Sequence, residues 1–276
     1  MPSLLTKIQA HSLAFCLALW IASSPAGAAT PGTAPSNELE ELTSTELQQR
    51  IESGSTTILV PLGGTEQNGS HMVLGKHNVR VRILAEMIAQ QVGNTLVAPV
   101  MAYVPEGDIN PPTAHMRYTG TLSISPPVFE GLLQGTVQSL AQHGFRRVIF
   151  LGDHGGYQAL LQNLARRLNQ GPMKHTSCRV YALSEYFVAA DQTFAQDLKA
   201  RGFSAAVIGT HAGLLDTSLT LALDPTLVRL DQLAAARPDH PKGVHGDPRQ
   251  ASAALGRIGV ERIVSASVAA IRALPQ

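Results

Sequence analysis

Cysteine is nearly absent: there are two in 276 residues. One of them, Cys16, falls in an N-terminal stretch that reads as a cleaved leader, so Cys178 stands alone and an intrachain disulfide is excluded. Cys178 lies in the apolar run SCRVYALS and reads as a buried strand residue rather than a nucleophile. An excess of charge of one sign is also lacking. Removing the leader deletes Lys7 and no acid, which leaves 20 basic and 20 acidic residues. Nothing in that balance draws the chain to nucleic acid or to an anionic membrane. The longest apolar stretch, Leu13 to Ala22, is short for a membrane span. There is no H-E-x-x-H, no G-x-S-x-G elbow, and no Walker or G-x-G-x-x-G phosphate loop. No internal repeat is visible, and the only biased segment is a short linker.

Residues 1–28 carry one Lys near the start, the apolar stretch, and small residues ending in Ala26-Gly27-Ala28. This is the three-part pattern of a secretory signal with an A-x-A cleavage site, and it predicts export to a bacterial periplasm. Residues 29–39, rich in Pro, Ser and Thr, read as a linker. From residue 40 to 276 the composition is uniform and reads as one domain. Thr43 and Glu46 suit a capping box ahead of a short helix. Strand-like apolar runs occupy 56–62, 94–100, 146–152 and 178–184. Helices are expected after each of them: one whose buried face is marked by Val79, Ile83, Met87 and Ile88, then 126–144, a helix to about Asn169, one to about Gly202, and a last one over 250–273. This alternation predicts an α/β fold with a mostly parallel sheet covered by helices on both faces. In such sheets, sites form beyond the carboxyl ends of the strands.

Two strand exits are loaded with chemistry. TTILVPL is followed by GGTEQNGSHMVLGKH, and RRVIFLG by DHGGYQ. Glu66, His77 and His154 could converge at one edge of the sheet, with Asp153 beside them, and carboxylate with imidazole is a usual ligand set for zinc, manganese or iron. The glycines of both loops let the backbone turn and approach an ion closely. The plain alternative is that the glycines make turns and the histidines cap helices.

These segments resemble the creatininase family. PLGGTEQNGSHMVLGKH is similar to P-x-G-S-x-E-Q-H-G-P-H-L-P-L-x-x-D, and SLAQHGFRRVIFLGDHGGYQ to the stretch ending in N-G-H-G-G-N. YTGTLSIS, THAGLLDTS and GVHGDPRQASAALG are similar to three further motifs, in family order, over about residues 40–270. The resemblance implies a three-layer αβα fold, a compact homo-oligomer (often a hexamer), and metal-dependent hydrolysis of small, often cyclic, amides. Family sites are dinuclear, with a bridging Asp and a second-metal His. Here those positions are His77 and Asn68. A neutral imidazole has one free lone pair and does not bridge, and an amide is a poor ligand.

The resemblance therefore implies one divalent ion per chain, zinc in the first place with manganese or iron as alternatives, held by Glu66, His77 and His154. Asp216 is a fourth or outer ligand. His211, matching the histidine of H-A-G, is the candidate for proton transfer to the leaving nitrogen. Glu106 and His115, in a Pro/Gly-rich segment, read as a substrate loop, with Gly120 and Thr121 shaping the pocket. His71 reads as loop-stabilising, and His245 and Asp247 as structural. The function expected is that of an exported amidohydrolase acting on a small amide, formamide, lactam or short peptide. The alternative is a non-catalytic descendant that binds a metal or small ligand.

Overall fold

The structure, a computed structural model, describes residues 36–236 and 243–275. The leader read over residues 1–28 and most of the linker lie outside them. Strands β1 (Thr57–Leu62), β2 (Thr95–Val97), β3 (Arg147–Gly152) and β4 (Arg179–Ala182) form one parallel sheet in the order β2-β1-β3-β4. All six residues of β1 are buried, as expected of a strand covered on both faces.

Side chains alternate across the sheet. Ile58 and Val60 of β1, with Val148 and Phe150 of β3, pack against Phe129, Leu133 and Val137 of α3 (Pro126–Gln142) and Leu161, Leu164 and Leu168 of α4 (Gln158–Gln170). Leu59, Ile149 and Leu151 face the other way, towards Val81, Leu84 and Ile88 of α2 (Lys76–Val92) and Ile263, Val264 and Ile271 of the C-terminal helix, Ala253–Ala273. These are the two outer layers of an αβα fold. At about 1.5–3 kcal/mol for each fully buried large aliphatic side chain, they anchor the loops that leave the strands. A short N-terminal helix, α1 (Ser44–Glu52), opens on the capping box of Thr43 and Glu46. Among the described residues no helix is long and apolar enough to cross a membrane.

Several elements differ from expectation. β2 ends at Val97 rather than Val100. The Ala98 amide still donates to Leu59, but Pro99 has no N–H with which to continue the ladder. The helix expected up to Gly202 is three pieces: α5 (Ser184–Val188), a π-helical turn at Ala189–Thr193, and α6 (Phe194–Ala200). The last helix starts at Ala253, capped by Ser252. Most telling, the buried side of α2 is formed by Lys76, His77, Arg80, Val81, Leu84, Ala85, Ile88 and Ala89. Val79, Ile83 and Met87, the expected core face, are only partly buried. The first turn of α2 turns charged side chains inward.

β1 lies between β2 and β3, so chain connections run in opposite directions from the β1–β3 pair, and their carboxyl ends make the switch point where α/β sheets bind ligands. Leu62 is in register with Gly152. The loop after β1 and the loop after β3 therefore leave side by side.

Candidate metal centre

Glu66 sits at the centre of the β1 exit and is fully buried. The loop that carries it is held from several sides. Its amide donates to the Leu74 carbonyl at 3.1 Å. Asn68 Nδ2 donates to the carbonyls of Glu66 (2.9 Å) and Val73 (3.0 Å), so Asn68 braces the loop. The Gln67 amide donates to Thr121 Oγ1 at 3.2 Å. Gly120 adopts φ +94°, and a Cβ there would run into the Leu74 side chain. Gly120 and Thr121, expected to shape the pocket, support the Glu66 loop from behind. His71 Nε2 lies 3.0 Å from Thr217 Oγ1, tying the loop to the helix Leu214–Leu223.

Four imidazoles surround the Glu66 carboxylate. His77 Nε2 is 2.8 Å from Oε1, His115 Nδ1 is 3.1 Å from Oε2, His154 Nε2 is 3.4 Å from Oε2, and His211 Nδ1 is 3.7 Å from Oε1. Glu106 joins them, with Oε2 at 3.3 Å from His154 Nε2. His154 follows β3, and its Nδ1 accepts from the Gly156 amide at 3.1 Å, which turns Nε2 towards the two glutamates. Ala114 and Ala212, each adjacent to a site histidine, have φ of +43° and +53°. Backbone held in that region by a non-glycine residue is strained, and such strain collects at functional sites.

Glu66, Glu106, His115 and His154 each offer a ligand atom, and these atoms lie within 4.8 Å of one another. This set shares Glu66 and His154 with the expected metal ligands. It draws in Glu106 and His115, which were expected to touch substrate. His77 adjoins Glu66, but its other nitrogen, Nδ1, is 2.5 Å from Asp153 Oδ2. Carboxylates at both nitrogens fix the ring in place and leave it outside the ligand set. Asp216 does not enter the set. Its carboxylate is engaged by Lys76 and Arg80 and accepts from the Ala212 amide at 2.9 Å.

The donor set fits a divalent ion. Glu66 Oε2 and both oxygens of Glu106 are buried without a hydrogen-bond partner, a costly state that a cation would relieve. Burial raises the Glu66 pKa, but His154, His77 and Lys76 outweigh it and hold the group low, so Glu66 is ionised. Burial, followed by the charge of Glu66, pushes Glu106 up to about 9. Beside an ionised Glu66, Glu106 keeps its proton, and an ion between the two would replace it. Gly64 allows the approach, since a Cβ there would collide with Glu106 Oε1.

Beyond the glutamates, burial pushes His211 down to about 3, with Lys76 adding to the effect. Its Nε2 lies 2.9 Å from the Gln67 carbonyl. Nε2 also lies 3.2 Å from the Gln67 side-chain nitrogen, and Nδ1 faces Glu66 Oε1 at 3.7 Å. Burial keeps the ring neutral. A cavity of about 500 Å³ opens over the cluster, lined among others by His77, His115, Arg117, His154, His211 and His245. His245 pairs with His211 through the backbone, and Asp247 is bound by Arg249. Lys76, Arg80 and Tyr186 had no signal in the sequence. Arg80 Nη2 (2.9 Å) and the Tyr186 hydroxyl (2.7 Å) both hold Asp153.

The family profile Creatininase (creatinine amidohydrolase) matches residues 40–271. The chain is 28% identical to the creatinine amidohydrolase of Pseudomonas putida, over 73% of this chain and 75% of that protein. It is 29% identical to the mycofactocin precursor peptide peptidase of Mycobacterium tuberculosis, over 80% and 84%. A solved mutant creatininase of Zn–Zn type superposes with TM-score 0.69 at 26% identity, covering 87% of this chain and 98% of that one.

Proposed function

The chain belongs to the creatininase family of hydrolases, and from that premise we propose that it is a metal-dependent amidohydrolase for a small amide or short peptide. The observation that carries the reading is the pair of buried glutamates with orphaned oxygens facing His115 and His154. Glu66, Glu106, His115 and His154 would hold one divalent ion, zinc in the first place. Such an ion, when bound, polarises the scissile carbonyl and lowers the pKa of water towards 7.

The protein's own groups supply the rest. His211, kept neutral by burial, lines the cavity beside Glu66 and would orient the attacking water by a hydrogen bond. Asp153 holds the His77 ring through Nδ1. Arg117 and Tyr118 line the same cavity and would offer polar contacts to a bound substrate. A cavity of about 500 Å³ is in the range for a small molecule or a few residues of peptide. The M. tuberculosis relative is described as a peptidase and the P. putida relative as acting on creatinine, so both substrate types belong in the test. Export, argued from residues 1–28 alone, is part of the same proposal.

The test is hydrolysis of a panel of cyclic amides, formamides and short peptides by the purified protein, before and after chelation and after zinc is restored. Chelator-sensitive turnover, lost in Glu106→Gln, is the expected result. Zinc retained in the cluster without turnover of any panel member would instead favour the non-catalytic binding protein.

A further inference from the structure

Glu66 faces two half-sites. Its Oε2 looks towards His115 and His154, with Glu106 beyond. Its Oε1 looks towards His77, His211 and the Lys76 ammonium, the last at 3.7 Å. The second half-site draws on the same residue types, Glu66 with His77 and His211, and Asp216 joins it through Lys76. Lys76 is fully buried, and its ammonium spans Glu66 and Asp216. A cation between two carboxylates, flanked by imidazole, is the placement a divalent ion would take.

We propose that the Lys76 ammonium is a resident cation standing where a second metal ion would bind, and that it restricts the centre to one ion. The inference rests on the reading of Glu66, Glu106, His115 and His154 as the metal group. Geometry supports it. The Lys76 side chain is fully buried, lies against Glu66 Oε1 and engages Asp216, so a second ion on that side would have to share a buried space with a cationic group, which is strongly unfavourable. A tethered ammonium also cannot be removed by a chelator, so this half of the centre keeps its charge when the ion is lost. Lys76 is thereby a positioning residue: it fixes Glu66 Oε1 and leaves Oε2 free for the ion.

The experiment counts zinc per chain by mass spectrometry, after equilibration with excess zinc and desalting. It uses the wild type, Lys76→Arg, Lys76→Ser, and Lys76→Ser combined with Asp216→Asn. Circular dichroism and melting verify the fold. Arg80 still engages Asp216 in Lys76→Ser, so that carboxylate is not orphaned. The expected counts are about one for the wild type and Lys76→Arg, about two for Lys76→Ser, and about one again for the double variant. A folded Lys76→Ser that takes up the same count as the wild type overturns the inference. If Lys76→Ser does not fold, the wild-type count still decides: two ions beside an intact Lys76 overturn the proposal, and one supports it. A wild type that takes up no zinc overturns the metal reading itself, an outcome distinct from a failure of the Lys76 inference alone.

Discussion

The Glu66–Glu106 pair sets the chemistry of the site because burial leaves it few choices. Without an ion, one carboxyl is ionised and the other keeps its proton, with Glu106 raised to about 9. Ion uptake then releases that proton, and affinity for zinc increases as pH rises towards that value. Calorimetry in buffers of different ionisation enthalpy should register about one proton released per ion near neutral pH. Glu106→Gln, which removes the ionisable oxygen, should weaken zinc binding by about 10–100-fold or more, by analogy with the loss of metal-supporting groups. His71 gives a separate signal. Burial pushes its pKa from 6.5 down to about 4, so between those values the unfolded chain binds a proton that the native protein does not. Stability is therefore lost as pH falls through that window. His71→Gln should flatten the slope of unfolding free energy against pH there, by an amount on the order of 1–3 kcal/mol across the window, read from urea melts at stepped pH.

At the scale of elements, α2 joins core and site. Its C-terminal two-thirds packs Leu84 and Ile88 against the sheet, while its first turn turns Lys76, His77 and Arg80 inward. Leu84→Ala should cost about 2–5 kcal/mol in a urea melt and leave the zinc count of the folded protein unchanged, since the side chain touches the core and not the glutamates. The same helix shows what the sequence could reveal. β1 and β3 were legible because apolar runs ending in Gly-rich loops announce buried strands with functional exits, and Glu66 and His154 were legible for the same reason. The buried face of α2 was not, because hydrophobic periodicity assigns charged residues to the surface. Lys76 and Arg80 are inside only because Asp216 and Asp153, distant in the chain, meet them. Glu106 and His115 sit in an irregular segment with no periodic signal, so they could be named as site residues but not placed beside Glu66. The π-helical turn at Ala189–Thr193 left no mark in composition either.

For the whole molecule, the parallel order β2-β1-β3-β4 sets two loaded loops side by side at the switch point, and the αβα layers keep them there. An ion bound only by the native cluster should stabilise the fold by about 2.7 kcal/mol when present at a hundred times its dissociation constant. Chelation should lower the melting temperature accordingly, and added zinc should restore it. The most direct measurement of the account is anomalous diffraction at the zinc edge from crystals grown with zinc. One peak per chain among Glu66 Oε2, Glu106, His115 and His154 is the expected result. A map with no peak there, or with the ion displaced to the Lys76–Asp216 side of Glu66, would contradict it.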